Sequence, residues 1–183
     1  MRVIAGDWRG RKLVAPKGDA TRPTADRTRE TLFSMLASRL GSFEDLRVAD
    51  LFAGSGALGI EALSRGAAQC LFVEQEPSAV KAIRTNLDTL DARTRSDVQQ
   101  ASVMSLAPAK LPHDLILLDP PYDTNAGEVA LDRLLRLGWV GDATWIALET
   151  SARETPQVKG LEVVADRKVG KAKLHLLRLA DAG

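Results

Sequence analysis

From residue 47 onward the chain alternates short apolar runs with segments of helical periodicity. The apolar runs at 47–52, 70–74, 98–101, 114–119 and 144–149 are strand candidates. Helix candidates fall between them at 57–64, 78–90 and 128–137. This alternation predicts an α/β domain, a parallel sheet covered by helices on both faces. The end of the chain breaks the rhythm. Segments 161–167 and 173–179 are strand-like and lie either side of a short connection at Val169-Gly170-Lys171. A parallel crossover needs about a dozen residues or more, so these two strands form an antiparallel hairpin.

The first part of the chain has a different character. Residues 1–23 mix Gly and Pro with short apolar pieces and read as a loop or hairpin, an N-terminal arm ahead of a main domain at 24–183. A helix is predicted from Thr24, whose hydroxyl can cap it, with Pro23 before it and Asp26 complementing its dipole. Leu32, Leu36 and Leu40 then share one helix face.

Composition narrows the class. With 183 residues and 45% hydrophobic content, the chain can bury a full core. The single cysteine, Cys70, sits in the apolar run Cys70-Leu71-Phe72-Val73 and is expected to be a buried strand thiol. Neither a disulfide framework nor a Cys/His metal cluster is expected. The N-terminus has no leader-like apolar region and no run approaches membrane-spanning length, so a soluble cytoplasmic protein is expected. The net charge of +1 is unevenly spread. Residues 1–29 hold eight bases and three acids, an excess of five positive charges, which leaves the remainder four negative. A basic arm on a slightly acidic body suits contact with a polyanion, or is simply a solvated tail.

The chemistry concentrates at two strand ends. Asp50-Leu-Phe-Ala-Gly54-Ser-Gly56-Ala-Leu-Gly59 follows a strand and opens a helix. Its glycines let the backbone pass close to a ligand, and the helix start offers free N–H groups. Glu74 ends the next strand, twenty residues after Gly54, where a carboxylate can accept both ribose hydroxyls. Together they indicate an adenosine-containing cofactor. The glycines also satisfy G-x-G-x-x-G, the dinucleotide pattern. Asp50 favours S-adenosylmethionine instead: an anion before the turn would repel a pyrophosphate, but suits the donor's ammonium group, directly or through water.

The second strand end is Leu115-Ile-Leu-Leu-Asp119-Pro120-Pro121-Tyr122. Two prolines force the chain out of the sheet at Asp119, and ligands of open parallel sheets collect at carboxyl strand ends. An exocyclic base amine is a poor nucleophile because its lone pair is delocalised. The Asp119 carboxylate and the Pro120 carbonyl can accept its hydrogens and favour a pyramidal nitrogen, while Tyr122 offers a stacking face. Taken alone, Asp-Pro-Pro-Tyr is also an ordinary strand-ending turn.

These residues resemble the RsmD family of 16S rRNA guanine-N2 methyltransferases, from about Arg2 to Leu179. The resemblance rests on Gly6-Asp-Trp-Arg-Gly-Arg-Lys-Leu13, Thr21-Arg-Pro-Thr-Ala-Asp-Arg-Thr-Arg-Glu30, Leu51-Phe-Ala-Gly-Ser-Gly-Ala-Leu-Gly-Ile-Glu-Ala-Leu-Ser-Arg-Gly66 and Asp119-Pro-Pro-Tyr122. It implies a class I S-adenosylmethionine-dependent methyltransferase (Rossmann-like) fold, a seven-stranded, mostly parallel sheet with its last strand antiparallel. It further implies transfer to the N2 amine of guanine 966. By the resemblance Asp50, Phe52, Gly54, Ser55 and Gly56 line the donor site. Glu74 holds the ribose beside Gln75, and Ser102 and Val103 lie near the adenine. Asp119, Pro120, Pro121 and Tyr122 receive the guanine. Ser102 stands where relatives often carry an acidic or amide residue. The implied partner is the small ribosomal subunit, met by a monomer without metal or membrane. Arg9, Arg11, Lys12, Arg22 and Arg27 of the arm and first helix, with Lys168, Lys171 and Lys173 of the hairpin, could contact phosphates. The hairpin cations also suit plain edge protection. Other readings are a DNA adenine-N6 or cytosine-N4 enzyme, a protein glutamine methyltransferase, a dinucleotide enzyme, or a non-catalytic RNA-binding scaffold.

Overall fold

The computed structural model describes residues 1–16 and 23–181, and side chains within 1–16 and 25–181. Arg22 and the Thr24 hydroxyl therefore lie outside what is described. The described helices are α1 (Pro23–Leu40), α2 (Ala57–Ser64), α3 (Pro77–Thr89) and α4 (Ala126–Arg136). The strands are β1 (Arg47–Leu51), β2 (Gln69–Glu74), β3 (Ser96–Gln100), β4 (Leu115–Leu118), β5 (Trp145–Ser151), β6 (Leu161–Val169) and β7 (Ala172–Leu179). They form one seven-stranded sheet in the order β3-β2-β1-β4-β5-β7-β6. The pairings β2–β3, β1–β2, β1–β4 and β4–β5 are parallel, and β7 runs antiparallel between β5 and β6. This is the topology expected from the strand pattern and the terminal hairpin.

Alternation along each strand divides the core between the two faces. Leu115 and Leu117 of β4 join one cluster with Leu32, Phe33 and Leu36 of α1, Ile60 and Leu63 of α2, and Ile83 and Leu87 of α3. Ile116 and Leu118 join the other, with Ala130, Leu131 and Leu134 of α4. Every residue of β4 is buried, as its central place requires. The chain order reverses at β1, which has β2 on one side and β4 on the other. A crevice therefore opens beyond the carboxyl ends of β1 and β4.

The limits of some elements differ from expectation for local reasons. β1 stops at Leu51 because Phe52 turns into the left-handed region at φ 58°. β3 begins at Ser96 rather than residue 98. It is an edge strand of mostly exposed polar residues, which hides it from a reading based on apolar runs. β6 and β7 extend to a tighter connection, with Gly170 at φ 59°.

The arm is stitched to the domain. Arg2 and Lys12 form an antiparallel bridge, and Val3 and Leu13 are buried in the same cluster as α1 and α2. Gly6 at φ 86° lies so close to α2 that a Cβ there would stand 1.9 Å from the Ser64 carbonyl oxygen. No helix among the described residues is long and apolar enough to cross a membrane.

Candidate active site

The glycine turn is built from contacts that only small residues allow. Gly54 and Gly56 have φ of 58° and 82°, a region costly for side chains. A Cβ on Gly54 would meet nothing within 4 Å, so this stretch of backbone is open to a ligand. Gly59 serves packing instead: a Cβ there would stand 2.5 Å from the Phe72 ring and 2.6 Å from Cys70 Sγ. Helix α2 thus lies directly against β2, and Cys70 is the buried strand thiol expected.

Asp50 sits beneath this turn at 1% exposure. Its Oδ2 accepts the Gly59 N–H at 2.9 Å, tying the start of α2 to β1. Oδ1 is buried with no hydrogen-bond partner. Burial, and secondarily the charge of Glu74, pushes the Asp50 carboxyl up to about 8. Near neutrality it mostly holds a proton, so its first task is to organise the turn rather than to present a surface charge. Glu74 bridges the turn and the next loop. Its Oε1 accepts the Gly54 N–H at 2.9 Å, and its Oε2 accepts the Glu76 N–H at 2.8 Å. Each oxygen keeps a second acceptor position. Gln75 is exposed beside it and Val103 is buried. Ser102 caps the short 3₁₀ turn Val103–Ser105, its Oγ accepting the Met104 N–H at 3.2 Å.

A cleft of about 910 Å³ opens above the switch point. Phe52, Gly54 and Ser55 line it from the glycine turn, Asp119 and Tyr122 from the end of β4, and Glu149 from β5. Met1, Ala15 and Pro16 of the arm also border it, as do Arg27 of α1 and Lys171 of the hairpin. The structure thus brings part of the glycine turn, Asp119 and Tyr122 to one cavity, whereas Asp50, Gly56, Glu74, Gln75, Ser102 and Val103 are not among its lining residues, and Pro120 and Pro121 line a smaller neighbouring pocket.

Asp119 is exposed at the end of β4 and lines this concave cleft, whose walls crowd its carboxyl. That confinement, then the neighbouring Glu149, then Asp50, pushes its carboxyl well above the usual range. The Tyr122 hydroxyl donates to Glu149 Oε2 at 2.6 Å, which fixes the ring. Burial and the same carboxylate raise the tyrosine's pKa, so the hydroxyl stays protonated. The loop beyond is held by side chains. Thr124 Oγ1 donates to the Pro121 carbonyl at 2.8 Å, and Ser151 Oγ donates to Asp123 Oδ1 at 3.0 Å. Asp123 and Asn125 both adopt φ of 58°, strain that such contacts sustain.

The cations fall into two groups. Arg27 and Lys171 are exposed on the cleft, and Lys168 is exposed further along the hairpin. Arg9, Arg11 and Lys12 are exposed on the arm, but Arg11 Nη2 donates to the Thr89 carbonyl at 3.0 Å, closing the end of α3. Lys173 is half-buried, 3.8 Å from Asp166.

Several important residues were not singled out from sequence. Glu149 ends the run expected for β5, and only the pairing of β5 with β4 places it beside Asp119. Glu61, Ser64 and Asn86 hold the arm. Glu61 accepts the Ile4 and Ala5 N–H groups at 2.9 and 3.0 Å, and Ser64 Oγ accepts the Trp8 N–H at 3.0 Å. Asn86 accepts the Val14 N–H at 2.8 Å and donates to the carbonyls of Val14 and Ser55, joining arm and glycine turn.

The profile of the family described as Conserved hypothetical protein 95 matches residues 1–178. The chain belongs to this family. It is the RsmD family of the sequence resemblance. The ribosomal RNA small subunit methyltransferase D of Escherichia coli K12 is 40% identical over 150 residues, covering 82% of this chain and 74% of that one. The solved structure of yhhF, a candidate methyltransferase from Escherichia coli, superposes with a TM-score of 0.86 at 37% identity, covering 98% and 97% of the two chains. A candidate methylase from Haemophilus influenzae superposes at 0.80 with 31% identity and 98% coverage of both. The sheet and its antiparallel last strand are the class I methyltransferase fold.

Proposed function

We propose that this family member transfers a methyl group from S-adenosylmethionine to the N2 amine of a guanine in small-subunit 16S rRNA, guanine 966 being the expected position. The observation that carries the reading is the meeting of Asp119, Tyr122 and the open Gly54 backbone in one cleft at the switch point. The name of its Escherichia coli relative, a ribosomal RNA small subunit methyltransferase, supports the substrate class.

The residues present fit the methyl donor. Gly54 leaves room for close approach, and Glu74 keeps acceptor positions for two ribose hydroxyls while backbone N–H groups fix its orientation. The orphaned Asp50 Oδ1 leaves one buried polar atom beneath the turn without a protein partner. The donor supplies an already activated methyl group, so catalysis is largely alignment of the amine.

In this mechanism Tyr122 holds the unstacked base on its face, with the ring angle set by Glu149. Asp119 and the Pro120 carbonyl accept the two amine hydrogens and turn the nitrogen lone pair toward the methyl group. When bound, the donor would give up its methyl group with cleavage of the sulfur–carbon bond and departure of the neutral thioether, and the methylated amine, now acidic, would pass its proton to Asp119. Its raised pKa makes it an effective acceptor once ionised. Arg27 and Lys171 at the cleft rim contact phosphates beside the target, positioning the RNA without reading its sequence. The enzyme would act in the cytoplasm as a monomer on the assembled or assembling subunit.

The test is transfer of labelled methyl from S-adenosylmethionine to small ribosomal subunits that lack the modification, with nucleoside mass spectrometry of the RNA. N2-methylguanosine is expected. Incorporation into DNA or a protein glutamine, with the subunits left unlabelled, would move the substrate to those classes and leave the cofactor assignment standing.

A further inference from the structure

Asp119 and Glu149 form a pair at the carboxyl edge of the sheet. Leu118 of β4 is paired in parallel register with Leu148 of β5, so the next residue of each strand lies beside the other. Both carboxyls line the cleft with Tyr122, whose hydroxyl engages only one Glu149 oxygen. Among the described residues no Lys or Arg forms an ion pair with either carboxyl. Two adjacent carboxyl groups without a cation are costly in a concave site. They are suited to a ligand that brings adjacent hydrogen-bond donors.

Resting on the guanine-N2 reading above, we infer that Glu149 is a specificity-determining residue that accepts the N1–H of the target guanine while Asp119 accepts an N2 hydrogen. Guanine presents N1–H and the N2 amine side by side, a two-donor edge that matches two acceptors. Adenine presents an amine beside N1 as an acceptor, and its lone pair would face the Glu149 carboxylate. The Asp-Pro-Pro-Tyr stretch alone treats the two amines alike. Glu149 supplies the discrimination between them. The Tyr122 hydroxyl is the positioning group, holding one Glu149 oxygen so that the other meets N1–H. The upward shift of the Asp119 carboxyl, caused by desolvation in the cleft and then by Glu149, agrees with the closeness of the two groups.

The decisive probe is 2-aminopurine, which keeps the amine at C2 but has an N1 acceptor and no N1–H. Small subunits are reconstituted with 16S RNA carrying guanine or 2-aminopurine at the methylated position, and single-turnover transfer is measured for each. Sites built to bond a donor reject analogues that lack it strongly, so the wild type should favour guanine by about a hundredfold or more. In Glu149→Gln the side chain can present an amide N–H to the N1 acceptor. The guanine rate should fall, the 2-aminopurine rate should hold or rise, and their ratio should narrow by about tenfold or more. Retained S-adenosylmethionine binding identifies a folded variant. Wild-type rates on the two bases within about threefold of each other, a comparison that needs no variant, would overturn the inference. Equal loss on both bases in Glu149→Gln would also overturn it, reducing Glu149 to a support for Tyr122. No transfer to guanine by the wild type would remove the reading of the site and this inference with it.

Discussion

Replacing Glu61 with alanine should release the N-terminal arm. Glu61 is fully buried in α2, where its carboxylate accepts the Ile4 and Ala5 N–H groups and the Arg65 guanidinium at 3.0 Å. Arg29, 4% exposed, stands 3.7 Å away on the other side. Removing the acid leaves a buried guanidinium short of its counter-charge. Breaking a buried pair from one side costs about 3–5 kcal/mol. Arg29 keeps Asp26 and the Arg2 carbonyl, and Arg65 is partly solvated, so the lower figure of about 3 kcal/mol applies. For a domain of this size each kcal/mol moves Tm by about 2–4 °C, giving a fall of about 6–12 °C. Circular dichroism melting measures the shift, and amide exchange at Ile4 and Ala5 locates it. Glu61→Gln keeps one acceptor and should fall between alanine and wild type. A Tm shift below about 2 °C with both amides still protected would refute the idea that this carboxylate anchors the arm.

Other perturbations probe the remaining structure. Gly59→Ala forces a methyl group against Phe72 and Cys70 and should destabilise by about 1–3 kcal/mol, read from urea unfolding; an unchanged midpoint would mean α2 does not press on β2. Asp50 has its folded pKa raised from 3.8 to about 8, so its contribution to stability is fully present below pH 3.8 and is lost as pH rises through 8. Asp50→Asn should therefore flatten the decline in unfolding free energy between those limits, and identical pH profiles for variant and wild type would contradict the burial argument. His113, lowered to about 4, has the opposite sign, so the difference between the two proteins is the quantity to compare. Arg27→Ala with Lys171→Ala should make the slope of log affinity against log salt for small subunits shallower by about 1–2, and an unchanged slope would remove both from the RNA contact.

The sheet was legible because its signals are physical and local. The four buried leucine and isoleucine positions of β4 and the short connection at Gly170 required a central strand and a hairpin. The arm was not legible, because its anchors are long-range. Glu61 and Ser64 look like ordinary helix residues until the fold places Ile4, Ala5 and Trp8 against them. Asp119 could be identified from the strand that ends in two prolines, but Glu149 could not, since its meaning comes from β4–β5 register. Asp50 shows a limit of another kind. Sequence gives a carboxylate before a glycine turn, whereas only burial sets its proton and its bond to Gly59.

The central claim is that Asp119, at the end of β4, receives a guanine amine for methylation. The direct measurement compares wild type with Asp119→Ala on unmethylated small subunits. N2-methylguanosine is counted by mass spectrometry, and S-adenosylmethionine affinity is measured by calorimetry. The account predicts N2-methylguanosine with the wild type, its loss by a factor of about a hundred or more in the variant, and a donor affinity that is largely kept. Transfer near the wild-type rate in Asp119→Ala, with the donor bound equally well, would contradict it.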